Sequence, residues 1–392
     1  MVSKIYFDHA ATTPVDGAVL KVMLPYFGDK FGNPSSLHGF GQEAAGGTET
    51  AREQVAQFLG CQPAEVIFTA GASEADNLAI QGIVRGSKVD CPQIITSTIE
   101  HPAILEVCRA LAKEGKATVD FVKVNRLGLV EVKEVEKLIT DKTVLVSIMY
   151  ANNEIGTIQP IAEIGKLIKQ LNLKRQNKIY FHTDAVQAVN YLNCRVDELG
   201  VDMLSLSGHK IYGPKGVGVL FVRAKTLIKP IQFGGHQEYG LRPGTENSAA
   251  IVGLGKAIEL VNSAKRSAEN KKIKKMRDEL LAGILKNIPD AKLNGDPVKR
   301  LPNNLNISFK NIEGESAMLM LDLAGIAVST GSACASGSLE PSHVLLALGL
   351  KHLDAHGSLR ISLGKGNTAT EVKKLVAVLP GIIKKLRQIA PK

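Results

Sequence analysis

Lys210 stands in a segment whose residue types suit covalent chemistry with a carbonyl compound. The apolar run 201–206 predicts a strand, and Ser207 and His209 stand between that strand and the lysine. A lysine at a strand end, beside hydroxyl and imidazole groups, can hold an aldehyde cofactor as a Schiff base with a phosphate nearby. Because most lysines are solvated surface groups, this hypothesis depends on further sites along the chain.

The segment VIFTAGASEADNLAI (66–80) predicts a strand, a turn and a helix. Ala72 and Ser73 stand where that helix should begin, and amides at a helix start together with a hydroxyl favour a bound phosphate. The alternative is an ordinary helix with Ser73 as its N-cap.

Asp184 ends the predicted strand of KIYFHTDAVQA, and Gln187 follows three residues later. A carboxylate at this place can pair with a protonated pyridine nitrogen, which makes the ring a better electron acceptor. The alternative role is a helix N-cap. The functional interpretation is favoured because Asp184 and Lys210 follow two strands of the same predicted sheet.

Two further polar side chains follow predicted strands. His101 comes after QIITSTIE, and its imidazole could stack on a flat ring and move protons near neutral pH, although a lone histidine is more often structural. Asn153 follows VLVSIM, and its amide could contact an oxygen of the ring.

Cys334 lies in STGSACASGSLEPS (329–342), which consists mostly of small residues and predicts a mobile loop. A structural thiol would be expected among large apolar neighbours, so this one is predicted to be reactive. Arg360 lies in the predicted strand SLRISL, where its planar guanidinium could hold a carboxylate. An exposed surface arginine is the alternative.

The elements that must position these residues alternate between strands and helices from about residue 64. The predicted strands are VIF (66–68), QII (93–95), VLVSIM (144–149), KIYF (178–181), MLSL (203–206) and VGVLFV (217–222). This order predicts a mostly parallel α/β sheet covered on both faces, with ligands at the carboxyl ends of its strands. After about residue 262 the pattern changes to a smaller α+β domain with strands in 305–309, 326–330 and 358–363.

Composition excludes several classes of protein. The 392 residues are 44% hydrophobic and 22% charged, which is typical of a soluble globular protein, and no apolar run is long enough to span a membrane. The net charge is +10, yet no nucleic-acid motif accompanies it, so the basic stretches 270–281 and 373–388 are interpreted as solvated helix faces. Five scattered cysteines and no export signal predict a cytoplasmic chain without a disulfide framework or a metal site.

Taken together, the motifs resemble those of the cysteine desulfurases of the nitrogen-fixation and iron–sulfur-cluster type, which are class-V aminotransferases. The resemblance runs in order along the chain: YFDHAATTP, FGNPSSLHGFG, GASEADNLA, EHPA, NNEIGT, HTDAVQ, SGHKIYGPKGVG, RPGT, GSACASGSLEPSHVLLALGL and LRISLG. It implies a homodimeric pyridoxal 5'-phosphate enzyme with the aspartate-aminotransferase fold. The expected chain has a large domain (14–262) with a mostly parallel seven-stranded sheet, and a small α+β domain (1–13 and 263–392).

The resemblance also implies a role for each residue that matches a motif. Lys210 would bind the cofactor covalently and later act as a base, His101 would stack on the ring and relay protons, and Asp184 would pair with the ring nitrogen. Lys215, inside a Pro-Gly turn, is the rival lysine. The remaining implied contacts are the ring oxygen with Asn153 and Gln187, the phosphate with Ala72, Ser73, Ser207, His209 and the partner subunit's Thr245, and the substrate carboxylate with Asn33 and Arg360.

The expected reaction removes sulfur from L-cysteine, giving L-alanine and a persulfide on Cys334. The sulfur would pass to an acceptor such as an iron–sulfur scaffold protein. Because the sequence ends at RQIAPK, without the C-terminal extension of housekeeping members, a nitrogen-fixation-type or general sulfur donor is favoured. The alternatives are an aminotransferase or a cysteine/selenocysteine lyase, which need no mobile thiol, and a relay or scaffold protein without turnover.

Overall fold

The computed structural model describes residues 4–330 and 340–389. Its strands are β1 (Ile5–Tyr6), β2 (Val66–Thr69), β3 (Gln93–Ser97), β4 (Thr118–Val122), β5 (Thr143–Ser147), β6 (Tyr180–Asp184), β7 (Met203–Ser207), β8 (Gly218–Val222), β9 (Ala291–Leu293), β10 (Asn304–Phe309), β11 (Ile326–Ala327) and β12 (Ser358–Ser362). Its helices are α1 (Gly17–Met23), α2 (Gly39–Leu59), α3 (Ala72–Gly86), α4 (Pro102–Lys113), α5 (Val132–Leu138), α6 (Ile161–Asn172), α7 (Val196–Leu199), α8 (Ser248–Val261), α9 (Ala264–Asn287), α10 (Gly314–Leu323), α11 (His343–Ala347), α12 (His352–His356) and α13 (Ala369–Ile389).

The main sheet has seven strands in the order β2-β8-β7-β6-β5-β3-β4. The five strands β4, β3, β5, β6 and β7 run parallel to one another, whereas β8 is antiparallel to both of its neighbours. This arrangement confirms the α/β fold class and the mostly parallel seven-stranded sheet.

Helices cover both faces of this sheet, so successive strand residues enter two different hydrophobic cores. Val146 and Phe221 pack in one core, and their neighbours Leu145 and Leu220 pack in the other. Alternation of side chains along a strand explains why these strands are apolar at nearly every position. The sheet is therefore packed on both of its faces.

A second layer of structure follows α8. Strands β9, β10 and β12 form an antiparallel sheet, and β1 pairs with β11 in parallel. Their core includes Ile5 and Phe7 together with residues of α9 and α13. The first residues of the chain thus pack with its last third, and the domain limits given above stay a prediction.

The six predicted strands of the main sheet are all present, with ends shifted by one to three residues. The sequence did not reveal β4, because this edge strand is half exposed and mixes polar with apolar residues. The predicted strand 326–330 is shorter than expected, since β11 ends at Ala327.

The basic stretch 270–281 lies on α9. Its lysines are exposed, as with Lys274, which forms an ion pair with Asp278, whereas Ile273, Met276 and Leu280 are buried. This is the solvated basic face that the sequence indicated. Within the described ranges, no helix combines the length and the apolar character needed to cross a membrane.

Candidate active site

A cavity of about 780 Å³ opens where β2, β3, β5, β6 and β7 end. Loops leaving the carboxyl ends of parallel strands form it, as expected for an α/β sheet. The predicted site residues that line it are Ala72, Ser73, His101, Asn153, Asp184, Gln187, Ser207, His209, Lys210 and Arg360.

Lys210 is held at the end of a single 3-10 turn (Gly208–Lys210) that directly follows β7. Its Nζ donates to the carbonyl oxygens of Ala10 at 2.7 Å and Ala11 at 2.6 Å. Lys215 lines the same cavity from an exposed position. Of these two amines, Lys210 therefore has the more fixed position.

Asp184, the last residue of β6, is buried at the inner wall of the cavity. Burial raises the pKa of this carboxyl to about 6, while a hydrogen bond from the Val186 N–H (2.9 Å) and the charge of Lys210 act in the opposite direction. Asp184 is therefore an ionised carboxylate at neutral pH, able to pair with a cation in the cavity. Gln187, three residues later, donates to the Ala10 carbonyl at 3.0 Å.

His101 caps α4, because its Nδ1 accepts a hydrogen bond from the Ala103 N–H at 3.2 Å and Pro102 occupies the first helical position. That geometry assigns the ring proton to Nε2. Burial and the nearby charges of Lys210 and His343 lower the pKa of His101 to about 4. The imidazole is thus neutral at pH 7, which suits stacking on a flat ring and accepting a proton.

The start of α3 lines the same cavity through Gly71, Ala72 and Ser73. Gly71 is its N-cap and offers no side-chain cap, so the alternative of Ser73 as N-cap is wrong. The first amides of a 15-residue helix are left to a ligand, which favours an anion. Gly218 lets β8 pack closely against the start of this helix, since a Cβ there would lie 2.7 Å from the Gly71 carbonyl carbon and from the Leu206 oxygen.

Ser207 and His209 face the same cavity. Ser207 is buried at the end of β7, and His209 Nδ1 contacts Thr12 Oγ1 at 3.1 Å. Burial and the charges of Lys210 and Lys215 lower the pKa of His209 to about 4. A phosphate bound here would meet polar hydrogen-bonding groups rather than apolar ones.

Arg360, on β12, is 3% exposed, so the alternative of a surface arginine is wrong. Its Nη2 forms an ion pair with Asp8 at 2.9 Å, and its Nη1 contacts the Asn153 carbonyl at 3.4 Å. Its Nε is buried and has no partner among the described residues. Because Arg360 lines the cavity, a carboxylate ligand there would meet a buried positive charge.

The turn that carries Asn153 is fixed by its neighbour. The Asn152 side chain accepts from the Glu154 and Ile155 N–H groups and donates to the Ile99 carbonyl at 2.9 Å. It therefore ties the loop after β5 to the loop after β3, which places Asn153 on the same cavity as His101.

Three predicted residues are not brought to the cavity by the described chain. Asn33 and Thr245 are both exposed and do not line it, and the Asn33 side chain accepts from the Ser35 N–H at 3.0 Å. Cys334 lies outside the described residues.

Sequence reasoning missed several residues that the structure places at the site. Ala10, Ala11 and Thr12 line the cavity, Asp8 holds Arg360, and Asp76 lies in its inner wall. The only signal for the first group is the run of small and hydroxyl residues in HAATT directly after β1.

Comparison with known proteins agrees with this geometry. The aminotransferase class-V profile matches residues 5–375. The chain belongs to the class-V aminotransferase family. A cysteine desulfurase IscS of Clostridium botulinum is 50% identical over 393 aligned positions, covering 100% of this chain and 97% of the relative, and one of Methanosarcina thermophila is 48% identical, covering 99% and 94%.

Solved structures of family members are also similar. A NifS-like protein superposes with a TM-score of 0.90 at 39% identity, covering 98% of this chain and 100% of its own. SspA in complex with cysteine superposes with a TM-score of 0.80 at 38% identity, covering 92% and 99%. The fold inferred from the motifs is therefore confirmed.

The family depends on pyridoxal phosphate, and the groups in this cavity fit that cofactor. Each part of the cofactor has a matching group. The aldehyde requires an amine (Lys210), and the ring nitrogen requires a carboxylate (the buried Asp184). The ring face suits a neutral imidazole (His101), and the phosphate suits a helix start without a side-chain cap. All four lie on one cavity of sufficient size.

Proposed function

We propose that this chain is a cysteine desulfurase, which converts L-cysteine to L-alanine and transfers the sulfur to Cys334. The observation that carries the proposal is the cavity itself, in which a fixed lysine, an ionised carboxylate and a buried arginine converge. Relatives that match the chain over its whole length bear the name cysteine desulfurase.

Pyridoxal phosphate, when bound, withdraws electrons from the substrate and so acidifies its Cα–H. Lys210 would hold the cofactor and, once released from it, move a proton at the substrate Cα. Asp184 would keep its negative charge toward the ring nitrogen. His101, neutral at pH 7, would exchange protons through its ring nitrogen.

Arg360 would orient the substrate through its carboxylate. The arginine is buried and already turned toward the cavity by Asp8 and the Asn153 carbonyl. An amino acid carboxylate bound in the cavity can pair with the positive charge of this guanidinium. Asn33 is proposed as a second contact to this carboxylate.

Cys334, as a thiolate, would attack the sulfur of the substrate. A sulfur–sulfur bond then forms while the substrate's Cβ–S bond breaks, and the electron pair of that bond stays with Cβ, which takes up a proton to give alanine. The products are therefore alanine and a persulfide on Cys334, with no external oxidant.

The flanks of the segment 331–339 support this role, because one is bonded to Arg360 of the cavity and the other to the chain neighbours of Asn153 and His101. Before it, Ser329 exchanges two backbone hydrogen bonds with Arg360, at 2.7 and 3.1 Å. After it, Ser342 donates to Glu154 at 2.5 Å, and His343 Nε2 contacts the Glu100 carbonyl at 2.9 Å. Cys334 comes four residues after Thr330 in the sequence, and four residues span up to about 14 Å, so the length of the chain permits the proposed attack on a substrate beside Arg360.

A homodimer is part of the proposal. Thr245 is exposed and away from the cavity of its own chain, so its expected phosphate contact requires a partner subunit. Large apolar side chains are exposed in two segments that pack against α2, through Tyr26 over Gly47 and Glu238 on Arg52. These exposed side chains are Leu24, Phe27, Phe31, Leu37, Phe40, Phe233 and Tyr239.

The persulfide would pass its sulfur to an acceptor protein such as an iron–sulfur scaffold. We also propose a cytoplasmic location. The four cysteines within the described ranges are all free, which is typical of a reducing compartment.

The test is alanine production from L-cysteine and a reductant by wild type, Cys334→Ala and Cys91→Ala. Cys91 is a partly exposed cysteine that does not line the cavity, so its variant is the matched control. Loss of alanine only in Cys334→Ala supports the desulfurase. Equal activity in all three would identify a lyase or aminotransferase instead, and no alanine from wild type with bound cofactor would show that cysteine is not the substrate.

A further inference from the structure

Asp76 is a second carboxylate in the wall of the cavity, and it lies on the second turn of α3. Its side chain is fully buried, and neither of its oxygens has a hydrogen-bond partner of good geometry among the described residues, while the Ser205 hydroxyl lies close enough to lower its pKa in part. The nearest cationic candidate is Nε2 of His182, 3.7 Å away. A buried carboxylate without donors strongly favours its neutral form.

Asp184 differs from Asp76 in the groups around it. Asp184 accepts a hydrogen bond from the Val186 N–H at 2.9 Å and is stabilised by the charge of Lys210. Burial raises the pKa of Asp76 well above its usual range, and the negative charge of Asp184 raises it further. Two neighbouring buried carboxylates cannot both ionise readily. The groups around them therefore favour the ionised form of Asp184 and the protonated form of Asp76.

His182 does not provide a competing site for that proton. Its two ring nitrogens contact the hydroxyl oxygens of Ser147 and Ser205, each at 2.9 Å. Burial lowers the pKa of His182 to about 3, so an ion pair with Asp76 is disfavoured. The titratable groups on the elements around Asp76 are His182 and Asp184 on β6, Glu100 and His101 after β3, and His209 and Lys210 after β7.

We propose that Asp76 is a positioning residue that stays protonated beside Asp184, so that Asp184 alone carries negative charge toward the ring nitrogen of the cofactor. The inference rests on the proposed function for the identity of that cofactor. It assigns a role to a residue that no motif of the chain had singled out. An ionised Asp76 would place a second negative charge in the same wall and change the basicity of the ring nitrogen.

The experiment compares wild type, Asp76→Asn, Asp184→Asn and the double variant. Thermal unfolding of the cofactor-free proteins is followed between pH 5 and 8. Above pH 4, Asp76 would be protonated in the folded chain and ionised in the unfolded chain, so the folded chain binds one more proton. Wild type should therefore lose stability as the pH rises. Asp76→Asn lacks this loss, and its Tm relative to wild type should increase by on the order of 2–5 °C over the range.

In the Asp184→Asn background the same gain should be smaller, because the charge that favours the proton on Asp76 is absent. A Tm difference that is independent of pH, or one that turns further against Asp76→Asn as the pH rises, would show an ionised Asp76 and overturn the proposal.

The second readout is the visible absorbance of the bound cofactor as a function of pH. Asp76→Asn keeps a neutral group of the same shape, so its titration midpoint should match that of wild type, whereas Asp184→Asn should shift it. A shift as large in Asp76→Asn would contradict the inference. Neither readout uses turnover, so failure of the desulfurase proposal, seen as absent alanine from wild type, is distinguishable from failure of this one.

Discussion

Two regions of the cavity are built in different ways. The floor consists of Asp184 at the end of β6, and of His101 and Lys210, which come four and three residues after β3 and β7. The rim consists of residues 8–12 and Arg360, which meet across the interface between the large sheet and the last third of the chain. Local chain geometry thus fixes the charged and titratable groups of the floor, whereas long-range packing fixes the groups that would orient a substrate.

If the floor performs the chemistry, removing its amine should have the largest effect. Lys210→Ala should lower alanine formation by about 10³-fold or more, since a positioned acid–base group contributes about 10²–10⁴-fold and the attachment of the cofactor is lost as well. Lys215→Ala, in the same cavity, should stay within about threefold of wild type. The opposite result in a side-by-side assay would move the covalent attachment to Lys215.

If the rim orients the substrate, Arg360→Leu should act mainly on KM. We expect KM for L-cysteine to rise by about 10–100-fold, because charge-assisted hydrogen bonds contribute about 1.5–3 kcal/mol. Arg360→Lys retains a positive charge beside Asp8 but not the planar guanidinium. Its thermal stability should therefore be close to that of wild type, whereas its KM should stay nearer to that of Arg360→Leu. Unchanged KM with reduced thermal stability in both variants would make Arg360 a structural residue only.

Glu154, which lies next to Asn153 behind the rim, should make the stability of the protein depend on pH, and Glu154→Gln should remove that dependence. Glu154 is buried next to Asn153, and burial raises its pKa from 4.5 to about 7, against the hydrogen bond from Ser342 and the charge of Arg360. The folded chain then binds more protons than the unfolded chain between these pH values, so wild-type stability falls as the pH rises through that window. Urea unfolding at pH 5 and pH 7.5 should show Glu154→Gln gaining about 2 kcal/mol relative to wild type. A gain at pH 5 and none at pH 7.5 would reverse the assignment.

The smallest effect is expected at the contact between Thr12 of the rim and His209, which follows β7. Thr12→Val removes the hydroxyl that contacts His209 Nδ1 and should weaken cofactor binding by about threefold, since one neutral hydrogen bond contributes about 0.5–1.5 kcal/mol. Thr12→Ser keeps the hydroxyl and serves as the control in the same binding titration. Equal weakening in both variants would point to packing of the threonine methyl group instead.

The sequence predicted the floor better than the rim for a physical reason. A polar residue directly after an apolar run marks the end of a strand, and parallel strands bring such ends together, so Asp184, His101 and Lys210 could be placed without coordinates. The ion pair between Asp8 and Arg360 joins residues 352 positions apart, and no local pattern encodes it. The sequence did not single out Asp76, because it lies inside a predicted helix that packs on the sheet and not at the end of a strand.

The contact between Ala10 N–H and Ser362 Oγ, also 352 positions apart, sets an order of events during synthesis. Ribosomes add about 5–20 residues per second, so roughly 20–70 s separate the emergence of these two partners. During that interval the strand that precedes Lys210 has already left the ribosome, but β12 does not yet exist to hold the N-terminal segment over the lysine. A nascent chain therefore lacks the complete cavity until β12 has emerged, and the cofactor cannot be bound in its final surroundings before then.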